Sequence, residues 1–296
     1  MGRRLRERPT VATPFDNPVG ATRRPAASFR AMTERPVSPL LEFDHDREAF
    51  ISPSALITPR DDVPRACVLT WFRDAADRAV EETHGRRIMQ LRWEDGPRPV
   101  YEINHEGRQV TLAPMPVGAA PAASMLEELI ALGCRSFIAC GGAGALRPDL
   151  TLGHLVLVTS ALRDEGASHH YLPPARTLDS DPVAVDVLRA TLTDLSLPFA
   201  EGRAWTTDGI YRETPGRIAA RVEEGCLTVD MEASAVAAVA RFRGVPLAQV
   251  LYGGDDLTGE VWDERGWQDN HEVRDRLIRV AATAALRLEG ATGQGR

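Results

Sequence analysis

The residues best placed to do chemistry are acids and glycines that follow short apolar runs. Val229-Asp230-Met231-Glu232-Ala233-Ser234 is the most informative of these segments. An apolar run ends there and an Ala-rich helical pattern begins. A carboxylate at such a junction can serve the helix, with Asp230 capping it and Glu232 sitting favourably in its first turn. Glu232 can equally accept hydrogen bonds from two vicinal hydroxyls, because a carboxylate has two acceptor oxygens and no donor. Gly253-Gly254-Asp255-Asp256 follows a second run. It is either an ordinary loop or a place where a partly buried Asp255 hands a proton to a leaving group. Gly141-Gly142-Ala143-Gly144 follows a third run. It reads either as a tight turn needing positive φ or as backbone that approaches an anion closely. Thr206-Thr207-Asp208-Gly209-Ile210-Tyr211 is either a capped turn or a wall that sets Ile210 and Tyr211 against a flat ring.

The elements that must position these residues alternate. Strands are predicted at Ala66–Trp71, Arg98–Asn104, Gln109–Pro114, Ser136–Cys140, Leu155–Thr159, Gly202–Thr206, Leu227–Val229 and Leu247–Tyr252. Helices are predicted at Ala120–Leu132, Asp181–Leu195, Pro215–Glu224, Glu232–Phe242 and Glu272–Leu288. This alternation argues for an α/β fold, a three-layer α/β/α sandwich. In such folds ligands sit beyond the carboxyl ends of strands, where all four segments fall.

Composition narrows the chemistry. The chain of 296 residues contains no lysine, so every one of its 35 basic residues is Arg. That excludes a Walker A P-loop and Schiff-base catalysis. A net charge of −7 argues against nucleic acid polymers as partners. No apolar run approaches the roughly 20 residues that span a bilayer, so no membrane partner is expected. Cys67, Cys134, Cys140 and Cys226 form no zinc spacing and suggest reduced thiols, hence a cytoplasmic location. No metal site is expected. Residues 1–40 hold eight Arg against three acids and many Pro. They are expected to be a disordered extension, with a transit peptide or a misassigned start as other origins. Residues 41–296 are expected to be a single domain.

Val117-Gly118 with the following helix, Gly141–Leu146, Asp164–Tyr171, Thr206–Tyr211, Val229–Ala235 and Gly254-Asp255, taken in this order, resemble the nucleoside phosphorylase-I family. That family includes uridine phosphorylases, hexameric purine nucleoside phosphorylases and related nucleosidases. The resemblance implies a phosphorylase/hydrolase-like mixed sheet and a homo-oligomer. It implies a pentosyltransferase of nucleoside salvage that needs no cofactor and takes a purine or pyrimidine nucleoside with phosphate as co-substrate. It assigns ribose binding to Glu232 and Met231, proton donation to Asp255, the base pocket to Ile210 and Tyr211, and the anion loop to Gly141 and Gly142.

The chain departs from the family where phosphate is held. The clamping Arg is replaced by Ala139, the loop Thr by Gly142, and the early Gly-Asp-Pro-Asp-Arg signature by Phe72–Arg78. Arg73 and Arg78 are the candidate replacements, with Arg163 and Arg203 behind them. Water in place of phosphate is the alternative, and a non-catalytic nucleoside-binding protein is a third reading. The uracil-reading Gln and Arg have no counterpart around Arg212-Glu213-Thr214, and it is Asp255 that leans the base toward a purine.

Overall fold

A computed structural model describes residues 38–293 of the chain. The expected N-terminal extension therefore lies almost entirely outside the described residues. Its last three, Ser38–Leu40, enter a short 3-10 turn in which the Ser38 side chain accepts from the Leu40 N–H.

Ten strands build one sheet. They are β1 (Ala66–Thr70), β2 (Arg86–Leu91), β3 (Arg98–His105), β4 (Arg108–Pro114), β5 (Ser136–Ala145), β6 (Leu155–Asp164), β7 (Thr177–Asp179), β8 (Phe199–Thr207), β9 (Cys226–Asp230) and β10 (Leu247–Asp256). The helices are α1 (Pro53–Leu56), α2 (Arg73–Glu82), α3 (Ala119–Leu132), α4 (Pro182–Asp194), α5 (Pro215–Glu223), α6 (Ala233–Arg243) and α7 (His271–Gly293).

The sheet is mixed, and part of it closes on itself. Strand β5 runs parallel to β1 and β10 along its first half, then pairs antiparallel with β9 at Gly144 and Ala145. From β10 the ring continues through β6 and β8 back to β9. On the other side β1, β4, β3 and β2 extend it as an open wing. Helices α2, α4 and α7 pack on one face, through residues such as Ala75, Leu188 and Leu277. Helices α3 and α6 pack on the other, through Leu126, Leu129, Val236 and Val239. This is the expected three-layer α/β/α arrangement. Burying large side chains such as Phe137, Leu69 and Leu112 removes enough apolar surface, at roughly 25 cal/mol per Å², to dominate the stability of the sheet.

Four elements escape the sequence pattern, the short α1 and β7 and the longer α2 and β2. Helix α2 carries Arg, Asp and Glu on most positions and buries only Ala75 and Ala76. Strand β2 has only Ile88 and Leu91 buried among charged neighbours. Strands β5, β6 and β10 run four or five residues further than their apolar runs. Ladder pairing, not side-chain burial alone, extends them through Gly and polar positions. The four cysteines are all buried as free thiols. No helix among the described residues is long and apolar enough to cross a membrane.

Candidate active site

The carboxyl ends of β1, β5, β9 and β10 and the turn after β8 converge on one cavity of about 270 Å³. Its lining includes Trp71, Gly141, Gly142, Ile210, Glu213, Met231, Glu232, Gln249, Asp255, Trp262 and Arg274. Four of the segments singled out by sequence therefore meet in space.

Glu232 has a specific local cause. Asp230 ends β9 and turns back, accepting from the N–H groups of Glu232 (3.2 Å) and Ala233 (2.6 Å) and from Thr206 Oγ1 (2.8 Å). Asp230 thus caps α6. Glu232 is left as the N-cap residue, with non-helical φ −137° and no side-chain bond to its own helix. The first-turn role is not the one it takes. Its Oε1 instead accepts from the Gly118 N–H at 2.5 Å. Gly118 is the N-cap of α3, with φ 103°, a left-handed value that favours glycine. One carboxylate oxygen is thus fixed by a helix N-terminus, and the side chain faces the cavity beside Met231. Burial, and then the Asp230 charge next to it, hold the Glu232 carboxyl well above the usual carboxylate range. Asp230 is also raised by burial, against its three hydrogen bonds.

The second acid group is a pair. Asp255 accepts from Trp262 Nε1 at 2.7 Å through Oδ2. Trp262 is held there because Asp256 and Asp263 exchange backbone hydrogen bonds of 2.8 and 3.2 Å and fold the loop back. An indole N–H is a donor only, so it fixes Asp255's orientation through Oδ2, and Oδ1 has no hydrogen bond among the described residues. Glu213 lines the same cavity. Its carboxyl is pushed up to about 7 by burial and then by the Asp255 charge it faces. Sequence reading passed over Glu213 because its neighbours show no periodicity.

Gly141 and Gly142 line the cavity but do not form a loop. Both lie inside β5, opposite Leu251 and Tyr252 of β10, and neither has positive φ. The expected tight turn is absent because the ladder to β10 and β9 carries the strand through Ala145. Close approach requires the glycine further along the strand, at position 144. A Cβ on Gly144 would stand 2.5 Å from Leu257 Cδ1 and 2.8 Å from Val229 Cγ1. Gly144→Ala is expected to cost about 1–3 kcal/mol of stability, read as a lowered thermal midpoint.

Tyr211 does not enter the cavity; it is 94% exposed, while Ile210 beside it does line the wall. Arg73 and Arg78 also turn away. Arg73 pairs with Asp77 at 3.2 Å along α2, and Arg78 bridges Asp74 (3.0 Å) and Asp275 (2.7 Å). Arg73 lies on the exposed face of α2, which begins immediately after β1, while Arg78 turns across to α7. Arg163 is spent on Ser168 and on the carbonyls of Leu172 and Pro173, and Arg203 on Ser160 and the Glu224 carbonyl.

The guanidinium that does reach the cavity is Arg274 in the first turns of α7. Phe72 and Trp267 cover its faces, with ring centroids at 5.3 and 5.5 Å. Its nitrogens donate to Tyr252 Oη (3.4 Å), Asp74 (3.1 Å) and the Trp267 carbonyl (3.3 Å). The signal was present in the sequence: Arg274 falls on the apolar stripe it shares with Leu277, Ile278 and Ala281. Beside Ala139 the neighbouring strand supplies Gln249 in register. Gln249 is 3% exposed and its Nε2 has no hydrogen-bond partner. Trp71 fills the same corner, its Nε1 donating to the Pro116 carbonyl at 2.9 Å.

A family model described as the phosphorylase superfamily matches residues 74–289. The chain belongs to the phosphorylase superfamily. Among phosphorylase superfamily relatives, guanosine phosphorylase of Halorubrum lacusprofundi is 26% identical over 195 residues, covering 64% of this chain and 80% of that protein. Uridine phosphorylase from Vibrio fischeri shares the fold with a TM-score of 0.66 at 23% identity, covering 79% of this chain and 97% of that one. AMP nucleosidase from Bacteroides thetaiotaomicron shares it with a TM-score of 0.61 at 19% identity, covering 79% and 92%. Membership of the phosphorylase superfamily supports an enzyme of pentosyltransferase type.

Proposed function

We propose that this chain is a nucleoside phosphorylase that cleaves the N-glycosidic bond of a purine nucleoside. The observation that carries the reading is the placement of Glu232 and the Asp255–Glu213 pair in one cavity. Glu232, fixed by Gly118, accepts the 2′- and 3′-hydroxyls, with Met231 against the sugar. The base lies along Ile210 toward Asp255. The C1′–N bond breaks, its electron pair goes to the base, and Asp255 supplies the proton that neutralises it. General acid assistance of this kind is worth ~10²–10⁴-fold. A phosphate oxygen then bonds to C1′, giving a pentose 1-phosphate. Arg274 is the cation nearest to hand for that anion, and the α/β fold needs no further cofactor for the reaction.

A second reading, hydrolysis, is favoured by a specific observation. The corner with Ala139, Gln249 and Trp71 is neutral, and Arg274 already faces Asp74. A neutral amide suits water better than a phosphate dianion. Free base released from inosine and guanosine, measured with and without phosphate, decides between them. Phosphorolysis predicts base release that depends on phosphate and a sugar product carrying it. Equal rates without phosphate overturn that reading in favour of hydrolysis.

A further inference from the structure

We infer that Gln249 seats the nucleophile, an oxygen that both accepts and donates a hydrogen bond, on the floor of the cavity beneath the sugar. The inference rests on the nucleoside-cleaving reading of the cavity and adds the residue that places the attacking atom. Water and hydrogen phosphate both present such an oxygen, and the test separates them.

Strand β10 lines the cavity with Gln249, Leu251 and Asp255, while Val250 and Tyr252 between them pack into the core on the other face of the sheet. Asp255 stands at the carboxyl end of the strand beside the exposed Trp262, and Gln249 lies deeper. The surroundings of Gln249 are apolar or bare. Ala139 faces it across the ladder. Gly141 presents no side chain between Leu251 and Trp71, where a Cβ would touch both at 3.4 Å. The Trp71 N–H is turned away to the Pro116 carbonyl.

An amide in such a place needs partners. Gln249 is buried, and its Nε2 has no hydrogen-bond partner among the described residues. A buried polar group left unpaired is destabilising. An apolar side chain, like those of Ala248, Val250 and Leu251 beside it, would fill the strand without that cost. A ligand oxygen that accepts from Nε2 and donates to Oε1 removes it.

Displacement at C1′ needs the nucleophile in line with the leaving base and on the opposite side. With the base toward Asp255 and the sugar on Glu232 and Met231, that side is the deep one, where Gln249 lies. The nucleophile's oxygen bonds to C1′ as the C1′–N electron pair goes to the base, which takes the proton of Asp255. The nucleophile's own O–H proton passes to solvent, from which Asp255 is recharged. Gln249 exchanges no proton; it holds the oxygen at the right place.

The test measures base release from inosine, with and without phosphate, in the wild type, Gln249→Met and Gln249→Glu, with melting temperatures alongside. Gln249→Met is expected to lower kcat by ~10–100-fold, the effect of a misplaced reactant, with KM for inosine changed by no more than about twofold. Its melting temperature should equal or exceed that of the wild type, because an unpaired amide has gone. Gln249→Glu identifies the source of the oxygen. Phosphate as nucleophile predicts a KM for phosphate raised by ~10-fold or more through like-charge repulsion. Water predicts a phosphate-free rate well above that of Gln249→Met, since the carboxylate still accepts from it. A wild-type kcat in Gln249→Met overturns the inference, as does a joint fall of kcat, inosine affinity and melting temperature, which marks a structural side chain. Should Gln249→Met not fold, Gln249→Glu decides alone: an unchanged KM for phosphate together with an unchanged phosphate-free rate overturns the inference. A wild type that cleaves no nucleoside overturns the proposed function and this inference with it, whereas a wild type that cleaves no faster than Gln249→Met overturns this inference only.

Discussion

Replacing Glu232 with Gln is expected to lower kcat/KM for a ribonucleoside by ~10²–10⁴-fold while leaving the protein as stable as the wild type or more so. The loss follows from removing hydrogen bonds to two sugar hydroxyls, each worth about 1.5–3 kcal/mol to the ionised carboxylate. The stability side follows from burial. Glu232 is 7% exposed and sits beside Asp230, and its carboxyl is held above its ordinary range. A group with a raised folded-state pKa binds more protons folded than unfolded. Stability is therefore lost as pH rises from the ordinary carboxylate range through the raised one, and stays lost above it. A neutral Gln escapes that penalty and keeps an oxygen for the Gly118 N–H. Thermal melts of the two proteins from acid to alkaline pH should show Glu232→Gln equal or higher, with the gap widening as pH rises to about 8 and level above it. A variant that loses both activity and stability at every pH would mean that Glu232 is a structural tie between α6 and α3 and nothing more. The combination predicted here, activity down and stability not, is what a residue desolvated for function shows.

Asp255→Asn is expected to lower kcat by ~10²–10⁴-fold, the usual worth of a general acid, with a smaller effect on KM. Asn keeps the acceptor for the Trp262 N–H, so the loop from Asp256 to Asp263 should stay in place. The substitution also reports on Glu213. That carboxyl stands at about 7 through burial first and the Asp255 charge second. Without the second cause it should fall. Any pH dependence that Glu213 contributes to turnover should therefore lie at about 7 in the wild type. In Asp255→Asn the same step should occur at lower pH. Unchanged kcat in the variant would move the acid role away from Asp255, with Glu213 next in line.

Much of the architecture was legible because it is written as periodicity. The apolar runs of β1, β5 and β10, and the stripes of α3 and α6, give both element type and order. Helix α2 and strand β2 were not legible, because each buries two residues and otherwise carries charge. The site divides along the same physical line. Glu232, Met231, Asp255 and Ile210 each come within a few residues of an apolar run, and all four line the cavity. Arg73 and Arg78 failed because proximity in sequence to β1 does not set the rotation of the helix that follows it. Tyr211 failed for a related reason: one residue past Ile210, a 3-10 turn has already swung the side chain outward. Arg274 and Gln249 come from elements remote in sequence. Only the closure of β5, β9, β8, β6 and β10 into a ring, with α7 laid across β5 and β1, brings them to the cavity. Ladder closure and helix rotation are long-range properties, and one-dimensional patterns do not carry them.

The central claim concerns how a nucleoside lies in this cavity, and a crystal structure of Asp255→Asn with guanosine tests it most directly. The substitution should slow turnover enough to trap the substrate. The account predicts the ribose 2′- and 3′-hydroxyls within hydrogen-bond distance of Glu232, and the base along Ile210 toward the substituted side chain. A guanosine bound the other way round, with its base against Glu232 and its sugar toward the substituted side chain beside Trp262, or bound outside the cavity altogether, would contradict it.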